Sequence, residues 1–139
     1  FLREESDKPI IFIAGGTGFG PIKAILEYLI TTDSQRDVCL YWGVRDEVDM
    51  YSSLPSEWAD KYSNISFVPV LSEANGVWKG EHGYVHESVI RDFDDLSDYE
   101  VYACGPPVMV KAAAKNCLEK GLKKDNFYSD SFEYAFESS

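Results

Sequence analysis

Two glycine turns hold most of the chemistry available to this chain. In the first, the apolar run Pro9-Ile10-Ile11-Phe12-Ile13-Ala14 breaks into Gly15-Gly16-Thr17-Gly18-Phe19-Gly20-Pro21-Ile22. A strand that stops at glycines and restarts as a helix leaves free backbone N–H groups and the positive end of a helix dipole at the turn. Glycines let the backbone approach a ligand closely, and a phosphate is the anion such a turn suits. The Thr17 hydroxyl can bond a phosphate or a carboxamide. Gly16-x-Gly18 matches the first two positions of the dinucleotide fingerprint, but position 21 is Pro, and no Lys-Ser or Lys-Thr follows as a Walker loop requires. The turn is of nucleotide type but of another subclass, and a purely structural strand-to-helix turn stays open as an alternative.

The second turn is Val101-Tyr102-Ala103-Cys104-Gly105-Pro106-Pro107-Val108-Met109. It repeats the order of apolar strand, Gly, Pro and helix. Two such turns on one sheet edge make a cleft faced by two helix N-termini, a geometry for an extended phosphate-containing ligand. Cys104 by itself reads as a small buried hydrophobe.

The elements that must position these turns alternate along the chain. Strands are expected at Ile10–Ala14, Asp37–Gly43, Ile65–Leu71, Tyr99–Cys104 and Asn126–Ser129. Helices are expected at Pro21–Thr32, Glu57–Tyr62, Tyr84–Phe93 and Pro106–Gly121, with Ile22, Ile25, Leu26 and Leu29 forming one face of the first. Asn75–Gly83 reads as a loop, and Asp92–Asp98 as a solvated acidic turn. This rhythm predicts an α/β fold: one doubly wound domain over 1–139, with a roughly five-stranded parallel sheet and helices on both faces. Ligands of such folds bind beyond the carboxyl ends of the strands.

Composition narrows the function. The 139 residues are 45% hydrophobic and 27% charged, with a net charge of −11. That balance fits a globular domain and argues against nucleic acid, which is held by Lys and Arg. No apolar run reaches membrane-spanning length and no signal peptide is visible. The three cysteines form no Cys-x-x-Cys pair or His/Cys cluster, so no metal site is expected, and unpaired thiols fit a reducing cytoplasm. His82 and His86 read as loop and helix-surface residues. The first residue is not Met, which suggests a cut from a longer chain.

Taken together, the Gly-Gly-Thr-Gly-Phe-Gly-Pro-Ile and Cys-Gly-Pro-Pro turns resemble the nicotinamide-binding domain of the ferredoxin–NADP⁺ reductase superfamily. That group includes flavin reductases, oxygenase reductase components and sugar-dehydratase reductases. The resemblance extends to Phe1-Leu2-Arg3, to Tyr41-Trp42-Gly43-Val44-Arg45 with Asp49-x-Tyr51, and to Val70-Leu71-Ser72. Trp78-Lys79-Gly80, Gly83-Tyr84-Val85 and Phe127–Phe132 continue it, so it covers essentially the whole chain. The resemblance implies that Gly16, Thr17, Gly18, Phe19, Gly20 and Pro21 line the pyrophosphate and nicotinamide side of NADH or NADPH. Cys104 would lie beside the nicotinamide where hydride passes to a flavin, with Gly105, Pro106 and Pro107 as the pocket wall. Arg45 and Ser72 would meet the adenosine ribose; alternatively, Arg45 pairs with Asp49 one helical turn on. Phe132, or Tyr134 after it, would lie against the flavin ring, or simply pack on the sheet.

Ser72 is followed by Glu73, and Asp46 and Glu47 stand near Arg45. Each phosphate charge beside an uncompensated carboxylate costs about 1 kcal/mol, so NADH is expected over NADPH. The family's flavin-binding barrel, marked by an Arg-x-Tyr-Ser motif, is absent from this chain, as is a Cys-x4-Cys-x2-Cys ferredoxin motif. FAD or FMN would therefore sit on a flavin-binding domain of the same parent chain. An iron–sulfur domain, an oxygenase or a dehydratase would be the onward partner. The alternatives are a non-catalytic nucleotide-binding or regulatory module, and a flavodoxin-like or phosphoacceptor domain. The last is disfavoured because the first strand ends in Ala14-Gly15-Gly16 rather than in acids.

Overall fold

The computed structural model describes residues 6–73 and 81–131. Phe1-Leu2-Arg3, Trp78-Lys79-Gly80, Phe132 and Tyr134 lie outside the described residues. Among the described residues, six parallel strands form one sheet in the order β4-β3-β2-β1-β5-β6. They are β1 (Ile10–Gly15), β2 (Val38–Val44), β3 (Ile65–Leu71), β4 (Glu81–His82), β5 (Glu100–Gly105) and β6 (Phe127–Ser131). The helices are α1 (Phe19–Thr31), α2 (Leu54–Lys61), α3 (Val85–Asp92) and α4 (Pro107–Glu119).

The sequence expectation of about five strands is short by β4, a two-residue edge strand inside the segment read as a loop. β4 pairs Val70 with Glu81 and Leu71 with His82. Two residues are too few to show a period, so no pattern marked it. α1 begins two residues before Pro21, and α2 three residues before Glu57. Pro21 still falls in the first helical turn, where its missing N–H has no intrahelical partner to lose.

Alternation along β1 divides the core in two. Ile10, Phe12 and Ala14 face the side covered by α1 and α2, with Ile22, Leu26, Leu29 and Trp58. Ile11 and Ile13 face the side covered by α3 and α4, with Val85, Val89, Ala113 and Cys117. Because both faces are covered, β1 reads as a continuous apolar run rather than an alternating one.

The amino edge of the sheet is closed by a buried ion pair. Arg36 Nη2 lies 2.9 Å from Glu100 Oε1, and Glu100 is fully buried. Arg36 Nε donates to the Lys8 carbonyl at 2.9 Å, and the Glu100 N–H donates to the Pro9 carbonyl at 3.0 Å. The pair thereby ties the incoming segment to β5 and β2. Asp92, at the start of the acidic run, is not purely solvated: its Oδ2 accepts a 2.6 Å hydrogen bond from the buried Tyr41 hydroxyl. Asp95 accepts from the Ser97 N–H at 2.9 Å.

Candidate functional site

Both glycine turns lie at the carboxyl edge of the sheet, since β1 and β5 are adjacent and parallel with Ala14 opposite Cys104. After β1, residues Gly16–Gly18 form one 3₁₀ turn that leads into α1. Gly16 has φ +57°, a conformation costly for any residue with a Cβ. Its carbonyl accepts a 2.8 Å hydrogen bond from Trp42 Nε1. Trp42 is fully buried at the end of β2 and stacks on Phe19 at 4.5 Å with an interplanar angle of 18°. The turn is thus pinned from the core side, leaving its outer side to a ligand.

The helix ends differ in a telling way. Neither α1 nor α4 has a side-chain cap, and neither has an acid in its first turn. α3 is capped by its own Glu87, whose Oε1 accepts from the Tyr84 N–H at 3.3 Å. No side chain closes the two helix ends that follow the glycine turns; the Phe19 N–H is bonded to the Thr17 carbonyl and Pro21, Pro106 and Pro107 carry no N–H, so what the ends offer an anion is chiefly the helix dipole.

A cleft of about 660 Å³ runs over the ends of β1, β2 and β3 between Gly16, Arg45, Ser72, Tyr84 and Pro106. A second lobe of about 480 Å³ continues past Gly16 and Arg45 to Thr17, Val48 and Tyr51. Arg45 pairs with Glu73 rather than Asp49, its Nε lying 3.1 Å from Glu73 Oε2 on the surface. The backbone makes this pairing, because the Ser72 N–H donates to the Val44 carbonyl at 3.0 Å and the Glu73 N–H to the Arg45 carbonyl at 2.8 Å.

Among the residues singled out from sequence, Gly16, Thr17, Arg45, Ser72 and Pro106 line these lobes. Gly18, Phe19 and Gly105 are buried behind them. A Cβ on Gly18 would strike the Cys104 carbonyl, and Phe19 belongs to the core on the α1 side. Gly20 is exposed with open space above it. Pro107 is half-buried as the first residue of α4. Cys104 is buried and, with Pro21, borders a separate hollow of about 150 Å³ on the α1 side beside Tyr102 and Tyr128. Phe132 is outside the described residues.

The sequence reading missed Tyr84, His86, Met109 and Tyr51, which all line the cleft. His86 is not merely a helix-surface residue. Its ring stacks on Tyr84 at 6.0 Å, and its Nδ1 is buried without a hydrogen-bond partner. The available signals were the Asp49-x-Tyr51 and Gly83-Tyr84-Val85 motifs and the place of Met109 at the end of the second glycine turn, none of which carries a ligand role by residue type alone. Among the described residues, no group of three or more His, Cys, Asp or Glu is placed to hold a metal ion, and no helix is long and apolar enough to cross a membrane. The three cysteines are free thiols.

A model of the oxidoreductase NAD-binding domain matches residues 12–115. The chain is 44% identical over 132 residues to a CDP-6-deoxy-L-threo-D-glycero-4-hexulose-3-dehydrase reductase of Yersinia pestis, covering 95% of this chain and 40% of that protein. It is 39% identical over 136 residues to an NAD(P)H-flavin reductase of Aliivibrio fischeri, covering 96% and 57%. The fold superposes on the Amycolatopsis cytochrome P450 reductase GcoB with a TM-score of 0.86 at 28% identity, covering 93% of this chain and 39% of that one. The chain therefore spans two-fifths to somewhat over half of the length of these curated relatives.

Proposed function

Because the chain belongs to the oxidoreductase NAD-binding domain family, we propose that it is the nicotinamide-nucleotide half of a flavin-dependent NAD(P)H reductase. The observation that carries this reading is the two-lobed cleft over the carboxyl edge of the sheet, floored by a pinned glycine turn and faced by two uncapped helix ends. The residues fit a dinucleotide: Gly16 offers a bare backbone, Thr17 a hydroxyl, and α1 and α4 their positive helix ends, uncapped by side chains, for a pyrophosphate. The exposed Tyr84 ring, which lies nearly parallel to the His86 ring, offers a flat apolar platform for the adenine. Arg45 and Ser72 stand where a ribose would follow. When bound, NAD(P)H supplies a hydride at its nicotinamide C4; the protein's part is to bind, orient and shield it.

The flavin, FAD or FMN, belongs on a flavin-binding domain of the parent chain. The share of the relatives that this chain leaves uncovered supports that placement. The onward acceptor is an iron–sulfur centre, a free flavin, or an oxygenase or dehydratase partner. NADH is preferred over NADPH, because Glu73 already pairs with Arg45 at the ribose end and adds a negative charge there. Three free thiols favour a cytoplasmic setting. Cys104, buried at the end of β5, backs the first glycine turn from behind the nicotinamide end rather than lining the cleft, and Phe132 is the aromatic that meets the flavin.

Calorimetric titration of the chain with NADH tests the reading. Saturable binding with a dissociation constant at or below the millimolar range is expected. The absence of heat at millimolar NADH would remove the proposal.

A further inference from the structure

Met109 stands in the first turn of α4 and lines the cleft. Its methyl group fills the notch between the two glycine turns. A Cβ added to Gly15 would come 2.9 Å from Met109 Cε, and one added to Gly105 would come 2.7 Å from the same atom. Met109 Cγ lies 3.7 Å from that point over Gly15. The sulfur is bonded to both carbons, so it too lies over Gly15. A half-buried thioether is thus held against both bare turns on the wall of the cleft.

Thioethers and thiols respond differently to a peroxide. A thiol reacts as its thiolate. Burial pushes the Cys117 thiol up to about 12 and raises Cys39 as well, so both carry little thiolate at neutral pH. Cys104 is shielded by burial. A thioether needs no ionisation, only access, and Met109 borders the cleft. Met50, the other methionine, packs against the core on the α1 side.

We propose that Met109 is a site of oxidation by a hydroperoxide, and that its sulfoxide closes the cleft to the nucleotide; the second half rests on the nucleotide reading above. The sulfur gives two electrons to hydrogen peroxide and takes one of its oxygens. The thioether becomes a sulfoxide, the peroxide O–O bond breaks, and the other oxygen leaves as water. The new oxygen is a hydrogen-bond acceptor on what was an apolar wall. The Gly15 and Gly105 backbones close the inner side, so the larger group grows into the cleft. There it meets the positive end of α4, which no side chain caps, and takes the place of an anion. Reduced flavins that lose their electrons to dioxygen form hydrogen peroxide, so the oxidant arises where such a reductase works.

Treating the chain with hydrogen peroxide, then following it by peptide mass spectrometry and by calorimetry with NADH, tests both halves. The peptide holding Met109 should gain an oxygen before those holding Met50 or the cysteines. NADH affinity should fall tenfold or more in step with that gain, and methionine sulfoxide reductase should restore it. Met109→Leu removes the sulfur and keeps the apolar bulk. Its own affinity, compared before and after peroxide, should change less than twofold, whereas Met50→Leu should lose affinity as the wild type does. Oxidation of Met50 or of a cysteine ahead of Met109 would overturn the site. Full NADH affinity in the Met109-oxidised chain, or an equal loss in Met109→Leu, would overturn its effect on the cleft and leave the nucleotide reading standing. An untreated chain that binds no NADH overturns the nucleotide reading and that effect with it, while the order of oxidation still decides the site.

Discussion

The backbone of Gly18 lies directly on the carbonyl of Cys104, leaving no space for a Cβ between them. This contact joins the turn after β1 to the end of β5 and sets the depth of the cleft. Gly18→Ala forces backbone against backbone, which no rotamer change relieves. We expect a loss of about 1–3 kcal/mol, the range for overpacking a rigid site. Gly20→Ala is the control: its Cβ meets nothing within 4 Å and it lies in the first turn of α1, so its urea midpoint should match wild type or rise slightly. Similar midpoints for the two variants would show that the contact does not constrain the turn.

Trp42 fixes the same turn from beneath through its 2.8 Å hydrogen bond to the Gly16 carbonyl. Trp42→Phe keeps an aromatic ring against Phe19 but removes the donor. The loss in stability should be about 1 kcal/mol, the usual net worth of one neutral hydrogen bond. NADH affinity should fall several-fold, because the Gly16 backbone is no longer held for the ligand. An affinity unchanged by the substitution would mean that the turn is rigid without this bond.

The Arg45–Glu73 pair is exposed and contributes little to stability, between about 0 and 1 kcal/mol. Its expected role is in choosing the cofactor. Glu73→Gln frees Arg45 and removes a negative charge, so the NADPH-to-NADH affinity ratio should rise several-fold at low salt and less at high salt. Arg45→Ala should weaken NADPH more than NADH. Equal losses for both nucleotides would remove Arg45 from any 2′-phosphate role.

The Arg36–Glu100 pair is the opposite case, buried on both sides. Removing Arg36 leaves an uncompensated carboxylate in the core and unties the Lys8 carbonyl. Arg36→Ala should cost about 3–5 kcal/mol by urea denaturation. A loss below about 1 kcal/mol would show that water or a shifted cation reaches Glu100.

Alkaline pH should destabilise the fold in a defined window. Burial pushes the Cys117 thiol up to about 12 from its ordinary 9.0. Tyr41 is also raised from 10.0, by burial first and then by its hydrogen bond to Asp92, and burial raises Cys39 as well. Above pH 9 the unfolded chain releases these protons while the folded chain keeps them. The unfolded state then binds fewer protons, and stability falls as pH rises. The contribution is complete below pH 9 and Cys117 loses its share between 9.0 and about 12, at no more than about 1.4 kcal/mol per pH unit for each group. Urea midpoints between pH 8 and 10.5 should show the decline, and Cys117→Ala should make it shallower. A slope that Cys117→Ala leaves unchanged would contradict the assignment.

Much of the fold was legible in the chain because its signals are local. Ile10–Ala14 is an unbroken apolar run, Ile22, Leu26 and Leu29 follow a helical period, and each glycine turn announces where a strand gives way to a helix. These patterns were enough to indicate a parallel sheet with helices on both faces and a ligand at its carboxyl edge. The family model and the solved relatives agree with that architecture. What the sequence could not supply was which side of the sheet each residue of a turn would face. Gly16 and Gly18 are two residues apart in one motif, yet one lines the cleft and the other is sealed against Cys104. Tyr51, Tyr84 and His86 join the cleft from distant positions, because β2 and β4, which they follow in the chain, end at the same edge of the sheet. Arg45 found Glu73, 28 residues away, rather than Asp49, because the ends of β2 and β3 are hydrogen-bonded side by side. Local pattern determines an element and its buried face; only the register between strands decides which distant side chains share a site.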